Sequence, residues 1–134
     1  MADCKIGISG YWVSSAGSTL GLREPSQTGE LSGFFHRSTG EIALISGMAS
    51  LSPTDGNFPI AVVANWRPQG KYYASVTSYT GTFQVSQNKI RTIFLSVNPQ
   101  VPAYESVSVD SDEFTKHGSK TIDDFVQEFG EPTI

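Results

Sequence analysis

The chain has 134 residues, of which 38% are hydrophobic and 16% charged, and its formal net charge is −4 at pH 7. This length is typical of one domain, and the composition is too apolar for a disordered chain and too polar for a membrane protein. The acidic balance excludes the basic surface of a nucleic-acid-binding protein. The longest apolar run, residues 60–64, is far too short for a transmembrane helix. The single cysteine, Cys4, excludes an intrachain disulfide and a thiolate metal site.

Alternation of apolar and polar residues predicts eight strands in succession. In chain order they cover residues 6–13, 19–23, 30–37, 41–48, 57–66, 71–85, 89–97 and about 104–115. Turn signals separate several of them, including Pro53-Thr54-Asp55-Gly56 and Gln87-Asn88. Eight strands joined by hairpin-length connections predict an all-β fold, an antiparallel up-and-down β-barrel with room for one small ligand.

Three strands share a pattern in which glycine stands two residues before an aromatic residue. It occurs as Gly10-Tyr11-Trp12, Gly33-Phe34-Phe35 and Gly81-Thr82-Phe83. Glycine inside a strand allows the backbone to bend or another strand to approach closely. The pattern therefore predicts a tightly coiled barrel whose floor is filled by aromatic rings.

The residues that alternation places outside the second half of the barrel are apolar, although those of a monomer should be polar. They are Ala61, Val63, Val76, Ile93, Leu95, Val97, Val107 and Val109. Strands that are apolar on both faces are usually buried on both, and a large exposed apolar patch marks an interface. We expect these strands to pack against another copy of the chain, as a homodimer or homotetramer.

The C-terminal tail has a different period. Thr121-Ile122-Asp123-Asp124 resembles a capping box, and Ile122, Phe125, Val126 and Phe129 follow helical spacing up to Gly130. We expect a barrel domain over residues 1–116 and a tail over 117–134 that contains a short amphipathic helix. The sequence leaves open whether this helix packs on its own barrel, on a neighbouring subunit or over a barrel mouth.

Five motifs, in colinear order from about Gly7 to Lys116, resemble those of the avidin and streptavidin family. They are Gly10-x-Trp12 with Gly17-Ser18-Thr19, Leu31-Ser32-Gly33-Phe34-Phe35, Ala64-Asn65-Trp66, the Ser/Thr-rich run 75–81, and Asp112-Glu113-Phe114-Thr115-Lys116. The resemblance implies an avidin-like barrel that binds biotin non-covalently at its open end. It implies no cofactor, no metal, no catalytic residue, and no nucleic-acid or membrane partner.

The resemblance also implies roles for polar residues of the pocket. Ser14 stands in place of an Asn that donates to the ureido oxygen of biotin, and Ser18 matches a Ser that donates to the same oxygen. Phe35 replaces a Tyr whose hydroxyl is the third donor. Asp112 matches the Asp that accepts from a ureido N–H.

Other positions match the walls and the rim of the family pocket. Ser75 and Thr77 match groups that meet the ligand carboxylate and sulfur, and Tyr104 matches a Trp lent to the neighbouring subunit's pocket. Three positions match aromatic walls: Trp66, Tyr79 and Phe94. Arg37 falls where a pocket-edge Ser is common, and it could either pair with a ligand carboxylate or with an acid such as Glu41.

The departures predict biotin binding weaker than that of streptavidin. Phe35 has no donor, Ser14 is shorter than Asn, and three Trp positions carry smaller rings. An unmet ligand acceptor costs about 1–3 kcal/mol. One alternative is an avidin-fold module for a different small planar ligand without biotin function. Another is an enzyme that uses the late carboxylates Glu105, Asp110, Asp112 and Glu113, but no partner residue is placed beside them and we expect no enzyme. The sequence indicates a soluble chain and leaves open whether it is secreted or cytoplasmic.

Overall fold

Eight strands close into one antiparallel barrel in the computed structural model, which describes residues 5–66, 75–97 and 107–130. Each strand pairs with the next along the chain, and the last returns to pair with the first. The strands are β1 (Gly10–Ser14), β2 (Thr19–Leu22), β3 (Glu30–His36), β4 (Ile42–Ala49), β5 (Asn57–Trp66), β6 (Ser75–Gln84), β7 (Lys89–Val97) and β8 (Val107–Lys116). The sequence-based prediction of an eight-stranded up-and-down barrel is therefore confirmed.

Alternation along the strands separates an apolar interior from the outer surface. In β5 every second residue from Phe58 to Trp66 is buried, and the residues between them are exposed. The turn before β5 places Asp55 and Gly56 at positive φ, as its Pro-Thr-Asp-Gly sequence indicates. The predicted bounds of the fifth and seventh strands agree with the structure. The predicted starts of the sixth and eighth strands, residues 71 and 104, lie outside the described residues.

The prediction that the first strand begins at Ile6 was wrong, because β1 begins at Gly10. The carboxylate of Glu24 accepts hydrogen bonds from the backbone N–H groups of Ile6 and Gly7, at 2.6 and 2.9 Å, and from that of Ser9. Gly7 adopts φ +90°, which turns the chain around this carboxylate. A side chain thus takes the backbone donors that a strand would use, although Ile8 is still buried in the barrel.

Close contact between strands explains two of the glycine–aromatic patterns. A Cβ atom on Gly33 would overlap the carbonyl oxygen of Gly21 on β2, and one on Gly81 would overlap that of Arg91 on β7. At the end of the barrel opposite the β3–β4 connection, the ring of Phe83 packs against Trp12 and Phe58, with centroid distances of 5.7 and 6.1 Å. The predicted aromatic floor is present.

A short helix, α1 (Ile122–Phe129), follows the barrel and packs on the outer face of its own β1–β3 strands. Thr121 and Asp124 form the capping box that the sequence predicted. The fully buried ring of Phe125 packs on Phe34 and Tyr11. Of the three placements left open by the sequence, the structure therefore shows the helix on its own barrel. No helix among the described residues is long and apolar enough to cross a membrane.

The outer surface of the second half of the barrel is apolar and exposed, as predicted. The most exposed side chains there are Ile93 at 62% and Val109 at 64%. The side chains of Val63, Val76, Leu95 and Val97 are also exposed on this surface, which we call the β5–β8 face. The side chain of Val107, predicted to join them, lies outside the described part of the structure.

Candidate functional site

The candidate site lies at the end of the barrel where β1, β3, β5 and β7 terminate, which we call the mouth. Two described connections border it, residues 15–18 between β1 and β2 and residues 37–41 between β3 and β4. Trp66 pairs with Ser75, and Val97 pairs with Val107. The ends of β5 and β7 and the starts of β6 and β8 therefore also lie at the mouth. Residues far apart in sequence meet here only because the sheet closes.

An aromatic wall lines the barrel below the mouth. Phe35 packs its ring against Trp66, Tyr79 and Phe114, with centroid distances of 5.2, 5.5 and 5.7 Å. Tyr79 in turn contacts Phe94 at 5.2 Å. The rings come from four strands besides β3, and each occupies an inward position. Their mutual contacts make the wall rigid and leave Phe94 half-buried toward the mouth.

The hydroxyl of Thr77 is the centre of a hydrogen-bond network at the top of this wall. It accepts from the indole N–H of Trp66 at 3.1 Å and from the Arg37 guanidinium at 3.3 Å, and it pairs with the Ser96 hydroxyl at 3.0 Å. Thr77 is almost fully buried, whereas Ser96 and the neighbouring Ser75 are half-buried. The network fixes the orientation of the tryptophan and leaves the half-buried Ser75 and Ser96 beside the mouth.

Arg37 lies across the face of Trp66, with its guanidinium carbon 3.7 Å from the ring centroid. Its Nη1 atom pairs with the Glu41 carboxylate at 3.2 Å, and the other Glu41 oxygen accepts from Thr39 at 2.9 Å. The structure shows the pairing with Glu41, and this pairing leaves other N–H groups of the guanidinium available. The guanidinium is therefore held by stacking, an ion pair and a hydrogen bond at the same time.

A carboxylate stands on the opposite side of the pocket, on β8. Asp112 accepts from the Ser15 hydroxyl at 3.2 Å and from the backbone N–H of Glu113 at 2.8 Å. Burial raises the pKa of Asp112, although hydrogen bonds from Glu113, Ser15 and Ser14 act in the other direction. The hydroxyl oxygen of Ser14 accepts from the backbone N–H of Ser18 at 3.0 Å, which draws the β1–β2 connection toward this carboxylate.

The phenol of Tyr79 is within the electrostatic influence of both charges. Burial raises the pKa of Tyr79 to about 12, the positive charge of Arg37 lowers it, and the negative charge of Asp112 raises it. Both charges therefore act on the same ring of the wall. The pocket is polarised, with a cation on the β3 side and a carboxylate on the β8 side.

Beneath the mouth the barrel contains a small apolar cavity with a volume of about 10 Å³, enough for about one water molecule. The ring walls come from Phe35, Tyr79 and Phe114, and Thr92 is the polar residue of the lining. The remaining lining residues are aliphatic: Leu20, Leu22, Ile60, Val62 and Ile90. The cavity is far smaller than the ~300–1,000 Å³ of a typical ligand pocket, so a bound ligand would lie at the mouth above it.

Comparisons with known proteins agree with this architecture. A model of the Avidin family matches residues 2–117. The chain belongs to the avidin family. Avidin-family proteins are non-enzymatic binding proteins. The crystal structure of xenavidin is similar, with a TM-score of 0.68 and 21% identity over 85% of this chain and 100% of that chain, and this match shows the shared fold. A search of curated proteins gives no match.

Of the pocket residues that the avidin resemblance implied, Phe35 and Tyr79 line this cavity, and others lie nearer the mouth. Ser14 and Asp112 lie on one side, and Arg37 and Thr77 on the other, with the aromatic wall between them. Ser18 is half-buried in the β1–β2 connection. Tyr104, implied as a lid for a neighbouring pocket, lies outside the described residues.

Sequence reasoning did not assign Phe114, Ser15 or Ser96 to the pocket of this avidin-family chain. The position of Phe114, two residues after Asp112, was a usable signal, because alternate residues of a strand share a face. Ser96 stands directly opposite Thr77 on the neighbouring strand, and this register is visible only in the folded sheet. Ser15 lies in a connection, where alternation gives no information.

The carboxylates near the C-terminal end of the barrel divide between the two faces of the sheet. Glu113 lies on the outer surface and pairs with Lys89 at 3.0 Å and Arg91 at 2.8 Å. A hydrogen bond from Lys89, followed by one from Arg91, lowers the pKa of Glu113. Glu105 is outside the described residues. Asp112 and Glu113 therefore face opposite sides of the sheet.

Proposed function

We propose that the protein binds biotin non-covalently, one molecule per subunit, at the mouth of the barrel. The observation that carries the proposal is the half-buried Asp112, held by serine hydroxyls near the aromatic wall of an avidin-family barrel. A fixed carboxylate there is an acceptor for an N–H group of a planar ring. The aromatic rings below the mouth would pack against the rest of the ligand.

The pocket supports weaker binding than that of streptavidin. Phe35 is buried among three other aromatic rings and offers no hydrogen-bond donor. The Ser14 oxygen already accepts from the Ser18 backbone. A ligand carbonyl in the position of the ureido oxygen would therefore find fewer donors, at a cost of about 1–3 kcal/mol for each one lost.

The same departures favour a second candidate, a different small planar ligand that does not need a third donor. Phe35 presents an apolar edge where the avidin resemblance implies a hydroxyl. A ring with N–H donors toward Asp112 and an apolar side toward Phe35 would match this arrangement. Native mass spectrometry of protein purified from cells would identify such a ligand by its mass.

We also propose that the chain forms a homodimer or a homotetramer through the β5–β8 face. The exposed apolar side chains lie on paired, neighbouring strands, so they form one continuous surface. A two-fold contact that buries this surface against itself is the commonest kind of oligomer interface. Packing of two sheets face to face suits its β-branched residues.

Isothermal titration calorimetry with biotin tests the proposed ligand. We expect saturable binding near one site per subunit, and Asp112→Asn should weaken it about 10- to 100-fold by removing a charged hydrogen-bond partner. Asp55→Asn is the matched control, because Asp55 lies in the β4–β5 turn at the other end of the barrel and Asn tolerates its positive φ. Absence of heat and of any rise in melting temperature at millimolar biotin would contradict the proposal.

Restoring the donors gives the opposite test. The double variant Phe35→Tyr with Ser14→Asn should bind biotin more tightly, by about 1–3 kcal/mol for each restored contact. The dissociation rate measured by surface plasmon resonance should fall accordingly. An unchanged rate would mean that the ligand does not lie against these two residues.

A further inference from the structure

The two sides of the mouth differ in charge. This difference would determine the orientation of a bound ligand. On the β8 side Asp112 faces the pocket, and the nearby Asp110 contributes further negative charge. On the β3 side the guanidinium of Arg37 lies over Trp66. A ligand that spans the mouth would therefore meet a hydrogen-bond acceptor at one end and a cation at the other.

The guanidinium is held in place before any ligand arrives. Stacking on Trp66, the ion pair with Glu41 and the hydrogen bond to Thr77 fix its plane and its position. Among the described residues, Glu41 and Thr77 are the two side chains that receive its N–H groups, whereas an arginine carries five N–H donors. Donors thus remain for an additional acceptor, and little side-chain entropy is left to lose on binding it.

The counter-ion lies behind the guanidinium rather than over the mouth. The side chain of Glu41 is 6% exposed, and that of Arg37 is 29% exposed. The second oxygen of Glu41 is occupied by Thr39. Solvent and ligand therefore reach the Arg37 guanidinium more readily than they reach the Glu41 carboxylate. Thr77 accepts from Arg37 and Trp66, so its own proton goes to Ser96, and the Ser96 hydroxyl is the donor beside the guanidinium that remains for an anionic group.

We propose that Arg37 selects ligands that carry a free carboxylate at the end remote from Asp112, and discriminates against the same ligand with a neutral amide there. The inference rests on the proposed function and adds the charge of the ligand tail to it. A charge-assisted hydrogen bond to a fixed guanidinium is stronger than one between neutral groups, and an amide cannot form it.

The test compares biotin with its primary carboxamide, which has nearly the same size but no charge. We expect the unmodified protein to bind the acid about tenfold or more tightly than the amide, and Arg37→Gln to bring the two affinities to within about twofold of each other. Raising the salt concentration should reduce the preference of the unmodified protein, because a half-exposed charge pair is screened.

Arg23→Gln is the matched control. Arg23 also lies over an aromatic ring, that of Phe34 at 4.8 Å, but on the outer surface of the barrel. It should leave the preference for the acid unchanged. Arg37→Lys should retain part of the preference, because it keeps the charge but not the planar set of donors. Glu41→Gln gives a further check, since removing the counter-ion should increase the preference for the acid.

The outcomes separate this inference from the function on which it rests. Binding of acid and amide with equal affinity by the unmodified protein would overturn the role of Arg37 and leave the proposed function intact. A preference that persists in a folded Arg37→Gln protein, or one that Glu41→Gln fails to increase, would overturn it as well. Absence of binding by either ligand would overturn both proposals.

Discussion

The two apolar outer faces of the barrel are covered in different ways. On the β1–β3 side, Tyr11, Phe34 and His36 lie under α1, and their rings pack with those of Phe125 and Phe129. On the β5–β8 face, Ile93, Leu95 and Val109 remain exposed in the single chain. A barrel that has filled its interior still has to cover any apolar residues outside it. This chain covers one face with its own tail, and we propose that it covers the other with a second copy of itself.

The residues of the two faces reflect this difference. Aromatic rings and a glycine dominate under α1, and the Gly21 position lies so close to Phe125 that a Cβ atom would be only 3.0 Å from Cγ of its ring. The β5–β8 face carries β-branched and aliphatic residues instead. The missing side chain of Gly21 lets α1 approach the sheet closely, whereas rows of aliphatic side chains are typical of faces on which two sheets pack.

The strongest test of the covered face is removal of its central ring. Phe125→Ala should lower the free energy of unfolding by about 3–5 kcal/mol, as is usual for a buried phenylalanine. Equilibrium denaturation with urea measures the change. Gln127→Ala, on the exposed side of the same helix, should cost less than about 0.5 kcal/mol. A loss below about 1 kcal/mol for Phe125→Ala would mean that α1 adds little to the stability of the barrel.

A substitution on the β5–β8 face should change the oligomeric state of the protein instead of the stability of the single chain. Ile93→Glu places a charge in the middle of the β5–β8 face, and a two-fold interface would bury it twice. We expect the dissociation constant of the oligomer to rise on the order of 100-fold or more, with a monomer at low micromolar concentration in light scattering. Val85→Glu is the control, because Val85 is also exposed but lies in the turn between β6 and β7. A monomeric mass of 14.5 kDa for the unmodified protein would contradict the proposed interface.

The smallest effect on stability is expected at high pH. It comes from Tyr11, which lies on the face covered by α1. Burial, together with a 2.6 Å hydrogen bond to Glu128 on α1, raises the pKa of Tyr11 to about 12. The folded protein therefore keeps a proton that the unfolded chain releases near pH 10, so stability is retained below pH 10 and lost as the pH rises toward 12. Between pH 10 and 12 the free energy of unfolding should therefore fall less steeply with pH in Tyr11→Phe, by the contribution of one proton. Denaturation measured between pH 9 and 12 gives this slope. Tyr79, whose pKa is also about 12, should continue to contribute.

Much of the architecture follows from local sequence alone. Alternation in residues 57–66 and 89–97 fixed the bounds of β5 and β7, because each strand has one face inside the barrel and one outside. Thr121, Asp124 and the helical spacing up to Phe129 likewise determined α1, since capping and amphipathicity are properties of neighbouring residues. The apolar outer positions of β6–β8 also followed from alternation.

Only the tertiary structure decided how these elements combine at the site. The fold determined that Arg37 lies on Trp66 and pairs with Glu41. Ser96 joins Thr77 through the register of β6 against β7, and the helix lies on its own barrel because Gly21 and Phe34 leave a recess there. Glu24 withdrew residues 6–9 from the first strand by binding their backbone N–H groups. Each of these outcomes depends on contacts between residues distant in sequence, whereas hydrophobic periodicity reports only the face on which a residue lies.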